Sequence, residues 1–194
     1  VNLLIRLFWI LLSRRKEPQC GAFDTLRVCS RVYPNDLDLN MHVNNGRFLT
    51  FADLGRVDWF FRSGAWGVAR KKGFIPVIGD VNARFIRQLK AFDRFYVETR
   101  LLGWDDKWAF LEHKILDKND RVAGLIVVRG MFWSKKHGGL KPVDLIEATG
   151  NAKSEELLES PALPEWVEKW RETLDSLSAT ARKEKEIQRS LEDR

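Results

Sequence analysis

Polar and apolar residues alternate over "FDTLRVCSRV", residues 23–32. Leu26, Val28, Ser30 and Val32 share one face, and Arg27, Cys29 and Arg31 the other, which predicts a half-buried strand. "YPNDLDLNMH" ends that pattern with Pro, Asn and Asp, the residues of turns. From 44 to 62 the period becomes helical, with Asn44 or Asn45 as the N-cap. Phe48, Leu49, Phe51, Ala52, Leu54, Val57, Trp59, Phe60 and Phe61 cover most of this helix's circumference. A helix apolar nearly all round belongs in an interior, so a sheet is expected to wrap it.

Four more strands are predicted at about 75–89, 94–103, 108–116 and 121–133, joined by "AFD", "WDDK" and "DKND". Short turns between consecutive strands predict an antiparallel meander. The fold class expected is therefore α+β, an antiparallel sheet wrapped around a long buried helix, with helical extensions at both ends. Three regions are expected: an apolar helix over 1–16, a body over 22–150, and a linker with a C-terminal helix over 151–194. That last helix is predicted from 164 onward, apolar at Trp166, Val167, Trp170, Leu174 and Leu177 and polar beyond.

The N-terminal apolar run, "VNLLIRLFWILLSRRK", is broken by Arg6 and is shorter than the ~20 residues of a membrane span. Its basic residues, Arg14, Arg15 and Lys16, follow the run, the reverse of a signal peptide. Helical spacing groups Leu4, Leu7, Phe8, Leu11 and Leu12, with Trp9 alongside. Two readings stay open: peripheral membrane contact through residues 1–12, or a helix covering the protein's own apolar surface.

Hydrophobic residues make up 44% of the 194 residues, which permits a sizeable core. The net charge of +6 suits an anionic partner: nucleic acid, acidic lipid or a phosphorylated small molecule. The charge is spread along the chain, with no zinc-ligand spacing and no RNA-binding aromatic signature, so nucleic acid is not expected. Eight Trp and twelve Phe suggest deep burial or an apolar ligand. Cys20 and Cys29 are too few for a disulfide framework and read as reduced thiols of a cytoplasmic protein.

"DLDLNMHVNNGRF" resembles the loop of the 4-hydroxybenzoyl-CoA thioesterase-like superfamily. It is especially similar to plant acyl-carrier-protein thioesterases, whose pattern is Asp-x-Asn-x-His-x-Asn-Asn followed by an aromatic. Asp38, Asn40, His42, Asn44, Asn45 and Phe48 fill it, the aromatic one residue late. "LLGWDDKWAFLEHKI" resembles a second segment, found in a thioesterase-like branch with an apolar N-terminus. The resemblance covers about residues 23–135. It implies a hotdog fold, a homodimer or tetramer, and hydrolysis of an acyl-CoA or acyl-carrier-protein thioester. Coenzyme A then enters as part of the substrate, with no cofactor and no metal. The alternative is a non-catalytic acyl-thioester-binding or membrane-associated hotdog protein.

Thioester hydrolysis needs an activated water or nucleophile, oxyanion stabilisation and a thiolate leaving group, whose pKa of ~8.5 asks little acid help. The resemblance implies that Asp38 either orients water as a base or attacks the thioester carbon. His42 would move a proton, and Asn40 would hold water or carboxylate through its amide. Backbone N–H groups near Val43, Asn44 and Asn45, at the positive end of the helix, would receive the oxyanion. Each residue also has a plain reading: Asp38 stabilises the turn, Asn44 and Asn45 cap the helix, and Asp36 is turn chemistry.

Arg84, Arg87 and Lys90, with Lys71 and Lys72, would meet the phosphates of coenzyme A or form a solvated face. The plant enzymes add a glutamate on the strand after the helix; here Leu89 stands there, with Gln88 beside it. Asp53 and Asp58, on the buried helix, are the other carboxylates within reach. Glu112 and His113 are strand neighbours on opposite faces, so they do not form one site; one is expected to pair with a charge and the other to be solvated.

Overall fold

The structure, a computed structural model, describes residues 2–14, 17, 19–150 and 159–192. The chain divides into two compact units, Val1–Pro161 and Ala162–Arg194. In the first unit the order is α1 (Asn2–Arg14), β1 (Leu26–Arg31), a 3-10 turn (Pro34–Asp36), α2 (Asn45–Arg62), α3 (Ala65–Lys71) and β2 (Ile75–Phe85). Then come β3 (Arg94–Trp104), β4 (Ala109–Leu116), β5 (Val122–Ser134), β6 (Gly138–Leu140) and α4 (Pro142–Thr149). The second unit is α5 (Glu165–Glu192), which carries the one-turn ion pairs Glu165–Lys169 and Glu168–Arg171. Most of the linker expected over 151–160 lies outside the described residues.

The sheet is antiparallel, in the order β1-β3-β4-β5-β2, with β6 on β5. It curls around α2, so the expected α+β hotdog architecture holds. The full meander does not. Of the four strands expected in it, only β3, β4 and β5 run as consecutive neighbours; β2 pairs with β5, and β1 takes the place beside β3. The physical reason lies in the connections. "WDDK" and "DKND" are tight turns closed by the Asp105 and Asp117 carboxylates, whereas residues 86–93 form a longer crossover from one sheet edge toward the other.

α2 is held by its inward-facing apolar residues, while Leu49 and Phe61, expected in a buried circumference, are exposed. Phe51 and Leu54 are fully buried, and the Phe51 ring stacks on Phe95 at 4.2 Å. Gly55 sets the distance of closest approach: a Cβ there would collide with Thr99 and Val97 of β3. β1 alternates as its pattern predicts, with Leu26 and Val28 inward and Arg27 and Cys29 outward. Both cysteines are free; burial pushes the Cys20 thiol up to about 11, while Cys29 is exposed.

α1 corrects the face expected for it. Leu3, Arg6, Leu7 and Ile10 turn inward, and Leu4, Ile5, Phe8, Trp9 and Leu12 turn outward. The helix therefore does cover apolar surface of its own unit, while leaving a second apolar stripe exposed. α3 and α4 were absent from the pattern because each is two turns or so long. They are set by punctuation: Gly64 in the left-handed region at φ 77° before α3, and Pro142 opening α4.

Candidate active site

Residues 37–43 form a closed loop between the 3-10 turn and α2. Leu37 and Val43 bridge antiparallel, Asp38 N–H donates to the His42 carbonyl at 2.8 Å, and Met41 N–H donates to the Asp38 carbonyl at 3.1 Å. Met41 takes the left-handed conformation (φ 61°) at the apex, an uncommon one for a side chain. The loop is pinned to the crossover by a His42–Lys90 bridge and by Val43 N–H donating to the Leu89 carbonyl at 2.9 Å.

This closure brings Asp38 and His42 together. Asp38 Oδ1 lies 3.8 Å from His42 Nδ1, with side chains 29% and 28% exposed. The same Oδ1 accepts the Asn40 N–H at 2.8 Å. Asn40 thus acts through its backbone; its side chain is exposed and makes no hydrogen bond among the described residues.

The amides expected to receive an oxyanion are reduced to one. Val43 N–H is committed to Leu89, and Asn44 N–H donates to the Asp36 carbonyl at 2.9 Å. Asn44 is the N-cap: its Oδ1 accepts the Gly46 N–H at 2.8 Å, and its carbonyl accepts the Arg47 N–H at 2.8 Å. Asn45, at the first helical position, is an exposed residue whose N–H has no partner among the described residues. It sits where the helix dipole is positive.

Beneath the loop lies a buried ion network that the pattern did not reveal. Asp36 is fully buried and accepts from Arg6 of α1, from Arg47 Nε and Nη2 at 3.0 and 2.7 Å, and from Tyr33 N–H at 2.8 Å. Arg6 also donates to the Arg31 carbonyl at 3.0 Å and lies over the Tyr33 and Phe51 rings. Asp36 therefore anchors the entry to the loop rather than serving as turn chemistry alone. The signal was available: an arginine on the inward stripe of an apolar helix needs a buried carboxylate.

Other candidates fall elsewhere. Leu89 is buried in the core and serves the loop through its backbone, while Gln88 is exposed. Asp53 pairs with Arg56, and Asp58 is buried beside Arg62 at 3.7 Å. Arg84, Arg87 and Lys90 are exposed at the loop end of β2. Lys71 and Lys72 precede its other end, on the order of 30 Å along the strand, so the five do not form one patch. Glu112 pairs with Arg100 (2.9 Å) and Lys114 (3.4 Å) as expected, but His113 is fully buried, not solvated.

Among the described residues no His, Cys, Asp and Glu cluster is placed to hold a metal ion. No described helix is long and apolar enough to cross a membrane. The aromatic residues build the core, with a cavity of about 40 Å³ lined by Trp59, Phe60, Leu111 and Phe132. That is far below the ~300 Å³ of a small ligand site, whereas a second cavity of about 320 Å³, lined by Val57, Phe60, Phe61 and Trp66, reaches that size.

The loop, α2 and the sheet have counterparts in known proteins. Protein THEM6 of Xenopus laevis is 31% identical over 163 residues, spanning 84% of this chain and 74% of that one. Protein THEM6 of Drosophila melanogaster is 25% identical over 187 residues, 95% of this chain and 92% of that one. The fold is like that of the YbaW probable thioesterase of Escherichia coli (TM-score 0.60, 19% identity, 65% of this chain and 96% of that one). It is also like a mutant 4-hydroxybenzoyl CoA thioesterase complexed with 4-hydroxybenzoyl CoA (TM-score 0.57, 16% identity, 63% and 96%). The family model of the thioesterase-like superfamily matches residues 32–171, from the loop through the sheet into α5. Thioester hydrolysis is the chemistry that this family and fold support, and the chain belongs to the thioesterase-like superfamily.

Proposed function

We propose that the chain hydrolyses acyl thioesters of coenzyme A or an acyl carrier protein at the Asp38–Asn45 loop. One observation carries the reading. A carboxylate and an imidazole 3.8 Å apart share a closed loop that delivers one unpaired amide, Asn45 N–H, at the start of α2. In this reading Asn45 N–H receives the thioester oxygen, and Asp38 supplies the reacting carboxylate. His42 moves the proton between water and the site. The loop is half open, as access for a bulky carrier requires. Coenzyme A as the carrier is supported by Lys90, which is bridged to His42 of the loop. Two neighbours in fold also support it: the 4-hydroxybenzoyl CoA complex and the hypothetical protein SAV2348 of Staphylococcus aureus in complex with CoA.

The test is thiol release from an acyl-CoA panel of varied chain length, with the wild type beside Asp38→Ala. A wild type that releases no more thiol than the variant ends the hydrolase reading. A single turnover in heavy-oxygen water separates the two roles of Asp38: label enters its carboxylate only if it attacks the carbon. A second reading, acyl-thioester binding without efficient turnover, is favoured by Leu89, a buried apolar residue at the position where the plant enzymes carry a glutamate. Binding without release in the same panel would establish it.

We infer a homodimer through β2. That strand pairs only with β5 and leaves a free edge, with Ile75, Val77, Val81 and Phe85 exposed. An unpaired apolar edge of this length is otherwise an aggregation hazard. A stable monomer in light scattering at micromolar concentration would overturn this assembly. The outward stripe of α1, Leu4, Phe8, Trp9 and Leu12, supports peripheral contact with a lipid interface. Vesicle pelleting unchanged by removal of residues 1–12 would end that reading.

A further inference from the structure

β1 and β3 place two arginines directly opposite each other. Arg31 and Arg94 are register partners on the outer face, both exposed, and neither has an acidic partner among the described residues. Like charges in this position destabilise a sheet. Four residues away on the same face of β1, Arg27 shows the ordinary solution: it faces Glu98 at 3.4 Å and also pairs with Asp120. The uncompensated pair therefore stands out against its own strand.

The two arginines line an open groove of about 570 Å³ between α1 and β1. Its other wall is mainly apolar: Ile5, Trp9 and Ile10 of α1, with Tyr33 beside them and Ser13 as the polar exception, and Ile5 and Trp9 are 52% and 61% exposed. Arg6, which also lines it, is already committed to Asp36. Cys29, a free and exposed cysteine, lines the same groove. No residue of the loop from Asp38 to Asn45 does.

We propose that this groove binds a single-chain anionic amphiphile, a free fatty acid. Its carboxylate sits on the Arg31–Arg94 pair and its chain lies along Ile5, Trp9 and Ile10. The guanidinium fork matches a carboxylate bidentately. The volume suits one chain and head group. The site is distinct from the Asp38 loop, and the assignment does not depend on turnover there.

Cys29 is the natural reporter, because Cys20 is buried with its thiol pushed up to about 11. The full chain is treated with a thiol reagent, with and without decanoate below its micelle concentration. Decanoate at ten times its dissociation constant should slow Cys29 modification about tenfold, and decanol should not. In Arg31→Gln/Arg94→Gln the half-protecting concentration should rise about tenfold or more. Arg31→Lys/Arg94→Lys should restore most of the protection. Equal protection by decanol would overturn the proposal. So would an unchanged response of the Gln variant, or protection by anionic vesicles and not by decanoate.

Discussion

Arg6 of α1 and Asp36 of the 3-10 turn, 30 residues apart in the chain, form an ion pair whose side chains are 5% and 0% exposed. Arg6 Nη2 makes the pair, and Arg6 Nε and Nη1 have no hydrogen-bond partner among the described residues. The pair therefore ties α1 to the base of the candidate active-site loop.

Removing Asp36 leaves the Arg6 charge buried and uncompensated. Asp36→Ala is expected to cost about 3–5 kcal/mol in urea unfolding. Arg6→Leu should cost less, about 1–3 kcal/mol, because Asp36 keeps Arg47 and the Tyr33 N–H. Equal losses in the two variants would show that the pair is not the anchor.

Asn45→Pro tests the proposed oxyanion donor without disturbing the helix. Proline is favoured at the first helical position. Asn44, at φ −59° and ψ 138°, already has the conformation required before proline. Thiol release should fall by ~10²–10³ with the melting temperature unchanged. An unaltered rate would remove Asn45 N–H from the reaction.

His113 makes stability depend on pH. Burial holds its imidazole well below the usual 6.5, the charge of Arg56 adds to the effect, and its Nδ1 is 2.8 Å from Thr99 Oγ1. The unfolded chain takes up the proton near pH ~6.5 and the native chain does not. The stabilisation is thus complete above ~6.5 and declines as the pH falls below it. Unfolding free energies at about pH 7.5 and about pH 5.5 should differ more in the wild type than in His113→Gln. The same difference in both proteins would contradict this.

Gly55 and Gly67 should respond to alanine with opposite signs. A Cβ at Gly55 collides with Thr99 and Val97, and Gly55→Ala should destabilise by about 1–3 kcal/mol. At Gly67, exposed in α3, nothing lies within 4 Å of an added Cβ. Gly67→Ala should stabilise by about 0.5–1 kcal/mol through helix propensity alone.

The sequence by itself determined what neighbours along the chain decide. The period-two faces of β1 and the Asn44 cap are local, and so is the apolar circumference of α2. Each needs only side-chain pattern and backbone preference over a few residues. The loop from Asp38 to His42 was legible for the same reason, since turn residues and candidate site residues coincide there. Tertiary structure alone decided the rest. It placed β2 beside β5, turned Leu4 and Phe8 outward while Leu3 and Leu7 went in, and joined Arg6 to Asp36. It also consumed the Val43 and Asn44 amides, leaving Asn45. Hydrogen-bond and charge partners many residues away leave no periodic trace in the chain; they are chosen by which surfaces meet once the sheet has closed around α2.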